Sequence, residues 1–389
     1  MNLNSNGSST RSSKGNIKFI QVNLNKQGPA HHTALQLALE SHADILLLQE
    51  PSCPRNFQLG GYIGLQHSAY HLIPPQPTTT LSNIKEKPRV LTYVRKASNL
   101  DFHPRYDLCS DPDLQVIEVI GPETFYIVNV YNERQRIEGS SQLGPTTINR
   151  LLFRLILQQP ALIAGDFNLH HAWWNAAADP FKAAKATRLV EWLTRNKATL
   201  LINADEINTK GGTLIRANLK AESIIDLAFY TRFQKLVWRN WRYIEATGSD
   251  HETIAFEAVF NGPPSISPLQ QQPAYNIKKA DWEGFTKELQ AIESLVAYKI
   301  QEAIATQDYD LVAKLLTEAI TQAAESSIPR KKICEYSKPW WSDLLKALRQ
   351  AKNTALRAYK RRKTSELEEA WKKARNTYFQ AIRTAKENN

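Results

Sequence analysis

Ala161-Leu162-Ile163-Ala164-Gly165-Asp166-Phe167-Asn168 sets four apolar residues directly before a glycine, a carboxylate and a carboxamide. The apolar run reads as a buried strand, so Asp166 and Asn168 stand where that strand surfaces. Two residues apart in extended chain, their side chains point the same way, because side chains alternate with period two. That placement suits holding one water against one phosphate. Alone, an Asp-x-Asn after a strand is more often an ordinary turn or helix cap, since both side chains bond readily to nearby backbone. The other strand ends decide between the two.

Short apolar runs rich in β-branched and aromatic residues predict strands at Ile17 to Val22, Ile45 to Leu48, Val90 to Val94, Leu114 to Ile120, Phe125 to Val130, Leu162 to Ala164, Thr199 to Ile202, Ile224 to Phe229 and Thr253 to Phe260. Helical patterns intervene at about 30–41, 146–158 and 182–196. Strands alternating with helices, and several neighbouring strand pairs without one, predict an α/β fold of two packed sheets covered by helices.

Residues 1–15 are Ser/Asn-rich and read as disordered. Residues 16–260 carry the strand pattern, 261–278 form a Pro/Gln-rich linker, and 279–389 read as a helical basic region with helices at about 279–303, 308–327 and 339–387. Among 389 residues no apolar run approaches the roughly 18 needed to cross a bilayer. The polar start lacks a secretory core, so an intracellular protein with no membrane partner is expected. Cys53, Cys109 and Cys334 show no paired spacing, which argues for reduced thiols over a disulfide framework or a zinc site. The net charge of +11 is uneven, since Arg330 to Asn389 holds 17 basic and 6 acidic residues and leaves the rest neutral. Attraction to a polyanion is therefore expected mainly from the tail.

Polar residues stand at the other strand ends as well. Asn23 and Asn25 close the first strand, Glu50 the second, and Tyr131 the fifth; Asp226 lies inside an apolar run, and Asp250 and His251 precede the last strand. A carboxylate within an apolar run needs a partner or a metal, and His251 is the natural partner. Together these residues fit metal-assisted phosphodiester cleavage. A hard cation such as Mg²⁺, with Mn²⁺ as a substitute, takes oxygen ligands, and Glu50 is the first choice among them. Asp166 would activate the attacking water, while Tyr131, Asn168 and His251 would donate to charge developing on the phosphoryl group. Asp226 would orient His251 and favour its protonated form.

These motifs, in this order, resemble the endonuclease/exonuclease/phosphatase superfamily over about Ile17 to Phe260. The resemblance implies a four-layer α/β sandwich and divalent-metal cleavage, with Glu50 on the metal, the Asp226–His251 pair at the scissile phosphate, and Asp250 in metal or phosphate binding. Within that superfamily, Gln21 to Asn25, His170 and His171 with Trp174, and Thr209 followed by Ser223 to Leu227 look like the endonuclease domains of non-LTR retrotransposons. Apurinic endonucleases commonly carry a carboxylate at the place of Asn25; the amide here weakens one metal contact and disfavours abasic-site repair. Lys338 to Ser342 is similar to the segment between endonuclease and reverse transcriptase in such elements.

The resemblance implies a DNA endonuclease that nicks double-stranded target DNA and leaves a 3′-hydroxyl for target-primed reverse transcription in the nucleus. A reverse transcriptase domain or element RNA would be its partner. No Tyr-x-Asp-Asp sequence occurs, and only helical sequence follows the linker. His170, His171 and Trp174 are candidates to line the DNA cleft, and Lys360, Arg361, Arg362 and Lys363 to neutralise phosphates. The aromatic residues of the same tail read better as a packing face. An apurinic endonuclease, a phosphodiesterase of small or lipid phosphates, and a catalytically inactive DNA-binding relic remain the alternatives.

Overall fold

A computed structural model describes residues 15–54, 62–76, 87–98, 100–121, 123–136, 143–215, 223–260, 275–330 and 338–388. All but Gly15 of the segment 1–15 expected to be disordered, most of the expected linker and Cys334 lie outside these residues.

Strand β1 (Asn16–Asn23) leads into helix α1 (Gly28–Glu40), which returns the chain to β2 (Ile45–Gln49), parallel to β1. β3 (Tyr70–Ile73) and β4 (Val90–Arg95) follow. With β13 (Leu236–Tyr243) and β14 (Ile254–Phe260) they complete a six-stranded sheet ordered β13-β14-β1-β2-β4-β3. The second six-stranded sheet is built from β5 (Asp101–Pro104), β6 (Leu114–Ile120), β7 (Phe125–Tyr131), β10 (Ala161–Asp166), β11 (Ala198–Leu200) and β12 (Asp226–Thr231), ordered β11-β12-β10-β7-β6-β5. β8 (Arg134–Arg136) and β9 (Leu143–Thr146) pair by themselves. Short helices α2 (Thr147–Arg150), α3 (Pro180–Ala183), α4 (Thr187–Arg195) and α5 (Ala204–Lys210) join the strands of the second sheet.

The alternation of β1 shows how the layers form. Ile17 and Phe19 join residues of the second sheet, such as Ile127 and Ile163, in one apolar cluster. Ile20 and Val22 point the other way and pack with Ala34 and Leu35 of α1. β1 is thus buried on both faces, which explains why apolar residues occupy both its odd and its even positions.

Beyond β14 the chain divides differently from the sequence reading, which treats 279–389 as one region. Residues 269–335 form a separate unit, in which α6 (Trp282–Ala305) and α7 (Tyr309–Ser327) make a hairpin around Ile292, Ala319 and Ala323. Residues 336–389 belong to the same unit as the two sheets. Their helices, α8 (Asp343–Arg362) and α9 (Ser365–Glu387), lay Leu345, Tyr378, Phe379 and Ile382 into the apolar cluster around α1.

Several expected elements differ. The single helix expected at 339–387 is broken at Lys363, which adopts φ 45°, and Thr364 restarts it as an N-cap that accepts from the Leu367 N–H. Residues 146–158 hold only α2 and one further turn, because Leu151 leaves the helical region at φ −123°. Residues 182–196 are likewise two short helices separated by a turn. β13 was not expected: Leu236, Trp238, Trp241 and Tyr243 face inward, but a register shift between Arg239 and Arg242 interrupts the alternation.

One glycine sets how closely the central strands of the second sheet approach. Gly165 pairs with Val130 on one side and Leu227 on the other, at φ 152°, and a Cβ there would sit 1.9 Å from the Val130 carbonyl oxygen. Gly165→Ala should therefore destabilise the protein by at least about 3 kcal/mol, read as a fall in the urea midpoint. An unchanged midpoint would contradict this close approach.

Candidate active site

Six chain segments converge at one edge of the two sheets, around a cleft of about 800 Å³ lined by Asn25, Glu50, Tyr131, Asp166, Asn168, Asp250 and His251 among others. Each arrives at a strand end or on a loop, as the strand-end reading anticipates. Asn23 is the last residue of β1 and fully buried, and its Nδ2 donates to Glu50 Oε2 at 3.3 Å and to Asp166 Oδ2 at 2.8 Å. Asn25, at φ 45°, donates through Nδ2 to Asp250 Oδ1 at 3.0 Å. Glu50 follows β2 at φ 42°, and its Oε1 pairs with the Lys26 ammonium at 2.9 Å.

At the floor lie Asp166 and Asp226, both 1% exposed, and His251 at 6%. His251 Nδ1 and Asp226 Oδ2 are 2.9 Å apart, the pairing expected from sequence. Asp166 Oδ1 accepts the Asn168 N–H at 3.0 Å, with Asn168 held at φ 49° so that its Nδ2 reaches the Asn132 carbonyl at 3.2 Å. Tyr131 closes β7 and donates to Glu133 Oε2 at 3.2 Å.

The charges in this cluster determine which groups hold protons. Burial, followed by the neighbouring Asp226 charge, pushes the Asp166 carboxyl up to about 7, although His251, Asn23 and the Asn168 N–H pull the other way. For His251, burial works against protonation, but the Asp226 charge and hydrogen bond, then Asp166 and Asp250, outweigh it and raise the imidazole to about 9. Burial and the charges of Glu50, Glu133 and Asp166 keep the Tyr131 phenol protonated as a donor.

The cluster also fits a cation. Atoms of Asp166, Asp226 and His251 lie within 4.8 Å of one another; with His251 protonated the donors are the carboxylate oxygens, and Asp226 Oδ1 is buried without a hydrogen-bond partner among the described residues. Two adjacent buried carboxylates with one orphaned oxygen form a hard oxygen donor set. At the cleft mouth Glu50, Asp250 and Asn25 supply a second set of oxygen atoms, and the Lys26 ammonium already shows that Glu50 accepts a positive charge.

Other sequence candidates fall elsewhere. Trp174 is buried against His171 and Phe229 in the core, so its indole is a packing group; Trp173 is the exposed one of the pair. His170 lines the cleft, with burial and Lys182 holding its imidazole below the usual value. His171 turns its Nδ1 to the Trp173 N–H at 3.1 Å. Thr209 is exposed on α5. The threonine that matters is Thr213, fully buried, whose Oγ1 accepts from the N–H groups of Ile225 and Asp226 at 3.0 Å each. Lys360 is paired with the buried carboxylate of Glu252, whereas Arg361, Arg362 and Lys363 are exposed. The sequence reading also missed a basic cleft wall made of Arg134, Lys182, Lys185 and Arg188. These residues are scattered over short turns and form no charge run.

Residues 125–255 match the family model described as endonuclease-reverse transcriptase. Comparison with curated proteins gives no match. Among solved structures, the endonuclease domain of TRAS1, a telomere-specific non-LTR retrotransposon, is 18% identical with a TM-score of 0.46, covering 64% of this chain and 100% of that one. The AP endonuclease LMAP from Leishmania major is 12% identical with a TM-score of 0.43, covering 64% of this chain and 88% of that one. An AP endonuclease from Archaeoglobus fulgidus is 15% identical with a TM-score of 0.40, covering 63% of this chain and 100% of that one. The two mixed six-stranded sheets flanked by helices are the layered sandwich that the motif resemblance implies.

The His251 imidazole should titrate near pH 9 by NMR. Its folded value lies above the ordinary 6.5, so the ion pair contributes full stability below about 6.5 and loses it as pH rises through about 9. Asp226→Asn should drop the midpoint below 6.5, because burial then dominates. A midpoint that stays near 9 in that variant would show that Asp226 is not the cause.

Proposed function

We propose, from a segment 125–255 that matches the endonuclease-reverse transcriptase family and from the cluster beneath the cleft, that this chain is a metal-dependent DNA endonuclease. It nicks one strand of duplex DNA to leave a 3′-hydroxyl, acting in the nucleus in the manner of a non-LTR retroelement endonuclease, with a reverse transcriptase or element RNA as partner. The observation that carries the reading is the buried Asp166–Asp226–His251 cluster beside Asn23, Tyr131 and Asn168.

Asp166, ionised above about pH 7, accepts a proton from a water that Asn168 helps to hold in the cleft. The water oxygen bonds to phosphorus, the P–O3′ bond breaks, and the products are a 3′-hydroxyl and a 5′-phosphate. Protonated His251 and the Tyr131 phenol donate to the oxygens on which charge builds, in geometry fixed before substrate arrives. Asp226 keeps His251 charged and oriented. Mg²⁺, or Mn²⁺ in its place, held by carboxylates of this site such as Glu50 and Asp250, would polarise the phosphoryl group and stabilise the departing oxygen.

The cleft wall supports a polyanionic substrate. Lys182, Lys185 and Arg188 are exposed beside the cluster, so the body supplies positive charge where a phosphate backbone would run. Arg361, Arg362 and Lys363 add an exposed basic patch at the end of α8.

The full chain with Mg²⁺ should nick supercoiled plasmid, with activity lost in EDTA and reduced about 100-fold or more in Asp166→Ala and His251→Ala. Folded wild-type protein that binds DNA yet leaves plasmid and abasic duplex intact would make it a binding relic. Cleavage confined to abasic duplex would make it a repair enzyme. Replacing Lys182, Lys185 and Arg188 together with alanine should flatten the plot of log affinity against log salt by about 0.9 per lost phosphate contact. An unchanged slope would remove this wall from the DNA path.

A further inference from the structure

The loop that delivers Asp250 and His251 connects β13 to β14, and it is held from two sides. On the cleft side the backbone of 213–215 grips it: the Glu252 N–H donates to the Thr213 carbonyl at 2.8 Å, and the Ile215 N–H to the Asp250 carbonyl at 2.6 Å. On the opposite side lie α8 and α9. Lys352, fully buried, extends its Nζ to the Ala246 carbonyl at 2.5 Å and lies 5.1 Å over the Tyr378 ring. Asn353 donates to Glu245, and Lys360 forms an ion pair with Glu252, which is only 2% exposed. Gly248, at φ 100°, has no side chain because the Phe379 ring occupies that space; a Cβ would lie 2.7 Å from Phe379 Cε1.

These contacts cost a great deal to assemble. The Glu252 carboxylate is taken almost out of water and would not stay there charged without the Lys360 ammonium beside it, which keeps about a quarter of its side chain exposed. All fall on residues 245–252, and the loop's two cleft-lining residues, Asp250 and His251, have their backbones in the same segment. Two of the tail's lysines, Lys352 and Lys360, are thus engaged by the protein's own loop.

We propose that α8 and α9 are a positioning element of the active site: Lys352, Lys360 and Phe379 clamp the loop 245–252 and hold Asp250 and His251 at the working distance from Asp166 and Asp226. The inference rests on the nuclease reading for its kinetic consequence, though the clamp itself can be read without activity. Lys360 acts through Glu252, whose backbone adjoins His251, and Phe379 acts through Gly248. Neither touches substrate.

The test uses the full chain and three variants, Lys360→Met, Phe379→Leu and the double variant Lys360→Met/Glu252→Gln, followed by nicking kinetics and hydrogen–deuterium exchange. Lys360→Met should lower kcat about tenfold with KM for plasmid unchanged, and raise exchange in 245–252 while 125–131 and 161–166 keep their protection. Phe379→Leu should do the same to a smaller degree. The double variant should recover most of the lost kcat, since a buried neutral amide needs no cation beside it. A rise in KM alone would assign Lys360 to DNA contact and overturn the proposal; so would exchange raised equally in all three segments, which marks general loosening. If the wild-type chain proves inactive, the nuclease reading fails by itself. The exchange pattern then decides the clamp alone: a rise confined to 245–252 supports it, and an unaltered loop refutes it.

Discussion

A row of buried carboxamides fastens the two sheets together, and the site depends on it. Gln21 of β1 donates to the Gly165 carbonyl at 3.0 Å, Asn23 to Asp166 at 2.8 Å, and Gln49 of β2 to Asn129 Oδ1 of β7 at 2.7 Å. Apolar side chains alone would let two sheets slide, since burial is proportional to area and has no direction. A hydrogen bond lost inside the protein leaves a desolvated group, which costs about 1–3 kcal/mol. The row therefore fixes one register between the sheets. That register puts Glu50 of the first sheet and Asp166 of the second on the same amide nitrogen, Asn23 Nδ2.

With that alignment given, the electrostatics follow. Asp166 and Asp226 face each other in adjacent antiparallel strands, paired in register, and neither is solvated. Such a pair tolerates its charge only by sharing a proton or by drawing a positive group close. His251 meets part of that need as an imidazolium, and the orphaned Asp226 Oδ1 shows that it does not meet all of it. The protonation states of this cluster are thus a by-product of crowding like charges in a dry place.

Much of this was readable from sequence where cause and effect lie close together in the chain. Asp166 and Asn168 stand two residues apart after an apolar run, and Asp226 is conspicuous inside one. Where the cause is distant, sequence does not carry it. Nothing local marks Thr213, and only the three-dimensional path brings it under the Asp226 amide. Lys360 looked like part of a basic run because its partner, Glu252, lies 108 residues away. Trp173 and Trp174 are adjacent, so sequence could not say which one entered the core. The break at Lys363 and Thr364 had a legible signal, a threonine cap followed by Glu366 and Glu368, which the long helical pattern obscured.

The unit that holds the cleft is discontinuous, with 269–335 inserted between its two pieces. Tyr378 of α9 shares a hydrogen bond of 2.8 Å with Thr33 of α1, across 345 positions of chain. During synthesis the sheets can collapse first, yet the loop bearing His251 must wait for α8 and α9 to leave the ribosome before its outer face is covered. The order of synthesis thus sets a sequence of events: the loop bearing His251 gains its outer cover only after the inserted hairpin has been made.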